Sequence, residues 1–147
     1  ALFGHAGIEW DISKISAEEK TQLTSWISYY KKARTLIHSG RTVRADYADS
    51  SGYLHGVVAQ NKTEAIFAYV QLRPTQSVHP AQLIFAGLDP ARTYEVSAIY
   101  PAGKPTMMLI TPPSWLTGVK LTGDQLMKAG LPAPILAPEN ALLIELK

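Results

Sequence analysis

The spacing of apolar residues changes at Gly40, and this change constrains the fold more than any other feature of the sequence. Before Gly40, apolar side chains recur every three or four residues: Leu23, Trp26, Ile27, Tyr30, Ala33 and Ile37. Ser16 and Glu19 have the spacing of a capping box, and Gly40 is placed to be the left-handed residue after the helix end. The pattern therefore predicts one long α-helix over Ala17–Ser39.

After Gly40 the apolar period is two, and β-branched and aromatic residues occupy alternating positions, as is typical of strands. The strand-like segments are RTVRADYA, YLHGVVAQ, EAIFAYVQL, AQLIFAGL, TYEVSAIY, MMLIT and ALLIELK. NKT is a short hairpin connection, and DPAR is a turn between AQLIFAGL and TYEVSAIY. A short helix is expected in TGDQLMKAGLPAP, where Thr122 and Gln125 have capping-box spacing and Gly130 ends the helix. Six or seven short strands at regular spacing predict a mainly β fold, an antiparallel β-sandwich with Greek-key-like connections.

The first residues pose a separate problem. LFGHAGIEWD is a short apolar run that predicts a buried strand before the long helix. A strand followed by an amphipathic helix is half of a parallel-sheet unit, and it needs sister strands that an antiparallel sandwich does not provide. We therefore expect a boundary near Gly40, with residues 1–40 as the end of a larger domain and residues 41–147 as a β-sandwich domain. We also expect the chain to be part of a longer protein.

Composition excludes several functions. The chain has no cysteine, so disulfides, thiol nucleophiles and Cys-ligated metals are excluded; the lack of cysteine fits a cytoplasmic location. The formal net charge is only +2, and the basic residues Lys31, Lys32 and Arg34 point to different sides of the helix, which argues against a nucleic-acid partner. No stretch reaches the roughly 18 apolar residues of a membrane span. The four histidines are too dispersed for a local metal motif.

Four segments carry a resemblance to a known family: FGHAGIEWD, YKKARTLIHSG, SGYLHGVVAQNKTEAIFAYVQL and GLDPARTYEV. In this order they resemble the C-terminal part of glycoside hydrolase family 36, the bacterial α-galactosidases or melibiases. The resemblance implies that residues 3–11 and 16–39 are the last strand and helix of a catalytic (β/α)8 barrel, and that residues 41–147 are the C-terminal β-sandwich.

The resemblance also implies an activity for the parent enzyme. Members of the family hydrolyse terminal α-galactosides with retention, without a metal or organic cofactor, using two carboxylates about 5 Å apart. Both are aspartates on earlier barrel strands, the first within a KWD-type motif. The EWD of this chain lacks the lysine and lies on the last strand instead. The resemblance therefore implies that this chain contains no catalytic residue and is inactive alone.

Three side chains are candidates for binding. Trp10 and Asp11 are the substrate-binding candidates, because the C-terminal ends of barrel strands face the active site. The alternative is that Asp11 accepts hydrogen bonds from backbone amides in the strand-to-helix connection, while Glu9 meets a cation of the barrel. Trp115, in the proline-rich segment TPPSWLTG, is the candidate for an exposed functional aromatic residue. Trp26 and Tyr30 are assigned to packing.

Two hypotheses follow. In the first, the chain is a non-catalytic C-terminal part of an α-galactosidase, and its partners are the upstream catalytic barrel and, in the parent, an α-galactoside. In the second, it is a stand-alone carbohydrate-binding or assembly module. The apolar stripe of the long helix would lack barrel partners in the separate chain, so we also expect the chain to self-associate.

Overall fold

A computed structural model describes residues 2–45, 50–75, 81–108 and 111–147. Within these ranges the elements are as follows: α1 Ala17–Ser39, β1 Arg41–Ala45, β2 Gly52–Val58, β3 Ala65–Gln71, β4 Gln82–Leu83, β5 Thr93–Ile99, a 3-10 turn at Ser114–Thr117, β6 Val119–Thr122, α2 Gly123–Lys128, β7 Leu131–Pro132 and β8 Asn140–Leu146.

Six of the strands form one antiparallel sheet with the order β1-β2-β3-β8-β5-β6. β4 and β7 form a second, two-stranded antiparallel sheet. The main core lies between these two sheets, where Phe67 of β3 and Ile144 of β8 are buried in one cluster with Leu83, Phe85 and Leu131. The predicted mainly β, antiparallel architecture is confirmed, although its second layer is much smaller than its first.

The long helix lies on the opposite face of the large sheet. Its C-terminal half is buried there: Ala33, Leu36 and Ile37 form a second cluster with Val57 of β2 and Ile66 of β3. The N-terminal half has less beneath it, and Trp26 remains 40% exposed. The predicted apolar stripe is therefore buried only near the sheet, and the structure adds Leu36 to it.

The predicted ends of α1, Ala17 and Ser39, are confirmed, but the backbone conformation of Gly40 after the helix differs from the prediction. The Ser16 amide donates to Glu19 Oε2 at 2.8 Å, and the Glu19 amide donates to Ser16 Oγ at 3.2 Å, so the capping box forms. Gly40 is extended (φ −78°, ψ 176°), so the predicted left-handed conformation was wrong. Glycine is needed because a Cβ would lie 2.3 Å from Val57 Cγ1 and 2.7 Å from the Leu36 carbonyl oxygen.

The predicted strand over residues 3–11 is absent, and this prediction was wrong for the chain as described. Residues 2–11 form turns and irregular backbone, and residues 4–11 are exposed. A strand persists only when a neighbour completes its hydrogen-bonded ladder. None of the strands in the described ranges pairs with this segment.

Two other strand predictions need correction. AQLIFAGL forms a strand only at Gln82–Leu83, which pairs with β7 and not with TYEVSAIY. Its remainder leaves the ladder: the Phe85 amide donates to the Leu126 carbonyl of α2 at 3.1 Å, and Gly87 then turns the chain at φ +85°. In MMLIT, Met107 makes only an isolated bridge to Leu136, and residues 109–110 lie outside the described residues. The last three residues of RTVRADYA also lie outside them.

The predicted turns and the short helix are confirmed. NKT lies in the β2–β3 connection, where Asn61 Oδ1 accepts from the amide and hydroxyl of Thr63. In DPAR the Arg92 amide donates to the Asp89 carbonyl at 3.2 Å. α2 begins with the Thr122–Gln125 capping box and ends before Gly130, which has φ +68°. Unlike these, the strand β6 was not predicted.

Candidate functional site

The two substrate-binding candidates lie in the exposed connection before α1. Asp11 Oδ1 accepts from the Ser13 hydroxyl at 2.6 Å and the Ser13 amide at 3.1 Å, and Oδ2 lies 3.1 Å from Lys14 Nζ. The Ser13 hydroxyl, and then Lys14, hold the pKa of the Asp11 carboxyl below its ordinary value. Asp11 thus accepts from the backbone before the helix, as the alternative interpretation expects. Trp10 is 57% exposed.

The segment before Trp10 is held against the side of α1. The Tyr30 hydroxyl lies 2.9 Å from His38 Nε2 and donates to the Gly4 carbonyl at 3.4 Å. The His5 ring stacks on the His38 ring, with centroids 4.7 Å apart and an interplanar angle of 21°. The contacts of Tyr30 with Gly4 and of His5 with His38 join residues far apart in sequence, so the dispersed spacing of the histidines gave no signal of them. In the described ranges no three or more potential ligand side chains (His, Cys, Asp or Glu) cluster as a metal site would require. His79 lies outside the described residues.

A third histidine, His55, lies on strand β2 of the large sheet. The His55 ring meets the edge of Phe3 at 4.6 Å and stacks on Tyr53 at 5.3 Å. Its Nδ1 is buried and has no hydrogen-bond partner among the described residues. Burial, and then the nearby Arg44 guanidinium, lower the pKa of this imidazole, which favours its neutral form.

An apolar groove of about 500 Å³ runs between the N-terminal segment and the N-terminal half of α1. Its lining includes the apolar residues Leu2, Ile8, Leu23, Trp26 and Ile27 and the basic residues Lys31 and Arg34. Ile8 of this lining is exposed, and so are Trp10 and Ile12, which follow it in the chain. Exposed apolar surface of this kind is typical of an interaction site.

A polar cleft of about 450 Å³ lies on the other flank of α1, between the helix and the large sheet. We call it the helix–sheet cleft; its polar lining includes Tyr29, Lys32, Glu64, Tyr100, Glu145 and Lys147. The Tyr29 hydroxyl donates to Glu145 Oε1 at 3.3 Å, and Lys147 Nζ donates to Glu145 Oε2 at 2.5 Å. Sequence reasoning missed this cleft. The available signal was Glu145, a single charge inside the apolar strand ALLIELK.

The exposure expected for Trp115 was wrong. Trp115 is 3% exposed and belongs to the main core, and its Nε1 donates to the Pro132 carbonyl at 2.9 Å. The proline-rich segment folds back as a 3-10 turn, which brings the indole under the small sheet's β7. Trp26, assigned to packing, is the more exposed of the two.

Comparison with known proteins identifies the family. The model of the Glycosyl hydrolase family 36 C-terminal domain matches residues 54–146, which is more than half of the chain. The chain belongs to glycosyl hydrolase family 36. The match begins within β2 and ends with β8, so it contains both sheets except for β1 and the first residues of β2. This confirms the family resemblance found in the sequence.

Family-36 relatives extend the match beyond this domain. The chain is 35% identical to the Alpha-galactosidase of Escherichia coli over 100% of its own length, and it covers 22% of that protein. It is 30% identical to Alpha-galactosidase Mel36A of Lactobacillus acidophilus over 65% of its length, and it covers 13% of that protein. The chain therefore spans no more than about a quarter of the length of either relative.

Solved structures of the family share the fold. The crystal structure of the alpha-galactosidase from Lactobacillus brevis matches with a TM-score of 0.78 and 25% identity, over 100% of this chain and 19% of that chain. The GH36 alpha-galactosidase AgaB from Geobacillus stearothermophilus matches with a TM-score of 0.77 and 25% identity, over 100% of this chain and 18% of that chain. Both matches include α1 as well as the sheets. No helix in the described part of this family-36 chain is long and apolar enough to cross a membrane.

Proposed function

We propose that this chain is the non-catalytic C-terminal part of an α-galactosidase. The observation that supports this best is its match to the C-terminal domain of family 36, together with its coverage of only 22% of the E. coli enzyme. The rest of the parent chain would carry the two carboxylates of a retaining mechanism. The parent would hydrolyse terminal α-galactosides, such as melibiose and the raffinose sugars, without a cofactor, in the cytoplasm.

The role of this part is to support the catalytic barrel. The C-terminal half of α1 is anchored to the large sheet by Leu36 and Ile37, whereas its N-terminal half presents the apolar groove. Residues 1–40 would belong to the barrel, and residues 41–147 would form the supporting domain. In the parent, Trp10 and Asp11 would lie near the sugar-binding face of the barrel. The separate chain would cover the groove by self-association.

Two measurements test the catalytic side of this proposal. The purified chain should release no product from a chromogenic α-galactoside under conditions in which the E. coli α-galactosidase is active. Release of galactose by the chain alone would overturn the proposal. A chimera in which this chain replaces the matching region of the E. coli enzyme should be active.

The groove is tested in the same chimera. Changing Trp26 and Ile27 to serine should lower the yield of active chimera, because the exposed half of α1 would lose its apolar contacts with the barrel. Ser28→Ala, on the exposed side of the same helix, is the matched control and should have no effect. Light scattering of the separate chain should show association that the same double substitution reduces.

A further inference from the structure

We propose that the helix–sheet cleft binds a neutral saccharide through its hydroxyl groups. This inference goes beyond the proposed function, because it assigns a ligand to the supporting domain itself.

The cleft has the size and the walls of a small-molecule site. Its volume of about 450 Å³ falls within the range of about 300–1,000 Å³ that is usual for such sites. α1 supplies one wall through Tyr29 and Lys32, and the sheet supplies the other through Glu145. Because the helix is anchored to the sheet by buried side chains, both walls are present before a ligand arrives.

Glu145 is held in position but retains capacity to accept hydrogen bonds. One carboxylate oxygen accepts from the Tyr29 hydroxyl and the other from the Lys147 ammonium. An ionised carboxylate offers about four lone-pair sites, so about two remain for a ligand. The side chain is only 20% exposed, which limits competition from water. A fixed, half-buried acceptor of this kind suits a ligand hydroxyl group.

Tyr29 adds a hydroxyl that stays protonated. Burial, and then the charge of Glu145, raise the pKa of this phenol above its ordinary value. While it donates to Glu145, its oxygen can still accept from a ligand. A saccharide hydroxyl can both donate a hydrogen bond to Glu145 and accept one from a lysine, so one hydroxyl group can bond to an acidic and to a basic side chain of the cleft.

The charges lining the cleft balance, which favours a neutral ligand. Glu64 and Glu145 oppose Lys32 and Lys147. An anionic ligand would face the two carboxylates, and a cationic ligand would face the two ammonium groups. Tyr100 adds aromatic surface to the lining, on which the apolar face of a sugar ring can pack.

The test is a titration of the whole chain by calorimetry or by NMR. Raffinose and galactose are the neutral probes, and galacturonate and galactosamine are the charged comparators of similar shape. We expect saturable binding of at least one neutral probe and at least tenfold weaker binding of both charged ones. Glu145→Gln should weaken binding of the neutral probe at least tenfold. Glu95→Gln is the matched control, since Glu95 is an exposed carboxylate on the same sheet but outside the cleft.

Three results would overturn the proposal: no saturable binding of either neutral probe, equal or tighter binding of a charged comparator, or unchanged binding by Glu145→Gln. If Glu145→Gln does not fold, Tyr29→Phe decides, because it removes one hydroxyl and keeps the packing of the ring. It should weaken binding several-fold, and wild-type affinity would count against the site. Absence of saccharide binding in these titrations would not change the activity expected of the chimera. The two proposals can therefore fail separately.

Discussion

The Tyr29 hydroxyl of α1 donates a hydrogen bond to Glu145 Oε1 of β8, over an oxygen–oxygen distance of 3.3 Å. These residues are 116 positions apart, and the bond joins the long helix to a central strand of the large sheet. A hydrogen bond to a charged group that is partly buried contributes to stability, although this one is long. The pair would therefore connect the part that we propose belongs to the barrel with the proposed supporting domain.

The first prediction concerns pH. The folded chain raises the pKa of Tyr29 above its ordinary value of 10.0, mainly by burial. Above pH 10 the unfolded chain loses this proton while the folded chain keeps it, so the free energy of unfolding falls as pH rises. Below pH 10 the contribution is fully present. Urea unfolding between pH 8 and pH 11 should show this loss, and Tyr29→Phe should make it less steep. Equal slopes for both proteins would contradict the assignment.

The second prediction concerns the start of α1. Ser16→Ala removes the hydroxyl that accepts from the Glu19 amide, and it should lower the free energy of unfolding by about 1 kcal/mol. Urea denaturation measures the change. Ser28→Ala, at an exposed position in the middle of the helix, should cause no loss, since alanine is the better helix former there. A similar loss for both variants would argue against the cap.

The third prediction concerns Gly40. Gly40→Ala would place a Cβ 2.3 Å from Val57 Cγ1 and 2.8 Å from the Val58 carbonyl oxygen, so the α1–β2 contact must open. We expect a loss of about 1–3 kcal/mol, visible as a lower midpoint of thermal unfolding. Gly7→Ala is the control, because nothing lies within 4 Å of its added Cβ. That variant should unfold at the wild-type temperature.

The fourth prediction contrasts two tryptophans. Trp115→Ala removes a buried side chain and its hydrogen bond to the Pro132 carbonyl, and should cost about 3–5 kcal/mol. Trp10→Ala removes an exposed ring, and should leave the free energy of unfolding almost unchanged while reducing self-association. Denaturation and light scattering on both variants separate the two roles. Strong destabilisation by Trp10→Ala would show that Trp10 contributes to the core.

The difference between the two tryptophans also shows what local sequence can predict. Trp115 follows two prolines and was expected in an exposed loop, yet the 3-10 turn carries it into the core. Trp26 lies on the apolar stripe and was assigned to packing against the barrel and the sandwich; it is 40% exposed here, because the sheet does not extend beneath its part of the helix. In both cases the environment is provided by segments distant in the chain.

Among the candidate sites, too, contacts between near neighbours in sequence were foreseen and contacts between distant segments were not. The role of Asp11 before α1 was among the alternatives open from sequence, because its partners Ser13 and Lys14 are its near neighbours. The helix–sheet cleft was not foreseen, because Tyr29, Glu64 and Glu145 come from three segments that are distant in the chain: α1, the β2–β3 connection and β8. The stacked pair His5 and His38 was missed for the same reason.

The sequence by itself determined α1, its capping box, the α2 cap, the turns at NKT and DPAR, and the mainly β class of the remainder. All of these depend on residues a few positions apart, whose backbone preferences and hydrogen bonds act locally. Only the tertiary structure decided that β8 lies between β3 and β5, that β4 pairs with β7, and that residues 3–11 form no strand here. Strand pairing depends on which distant backbone groups satisfy one another, and an alternating apolar pattern does not specify that partner.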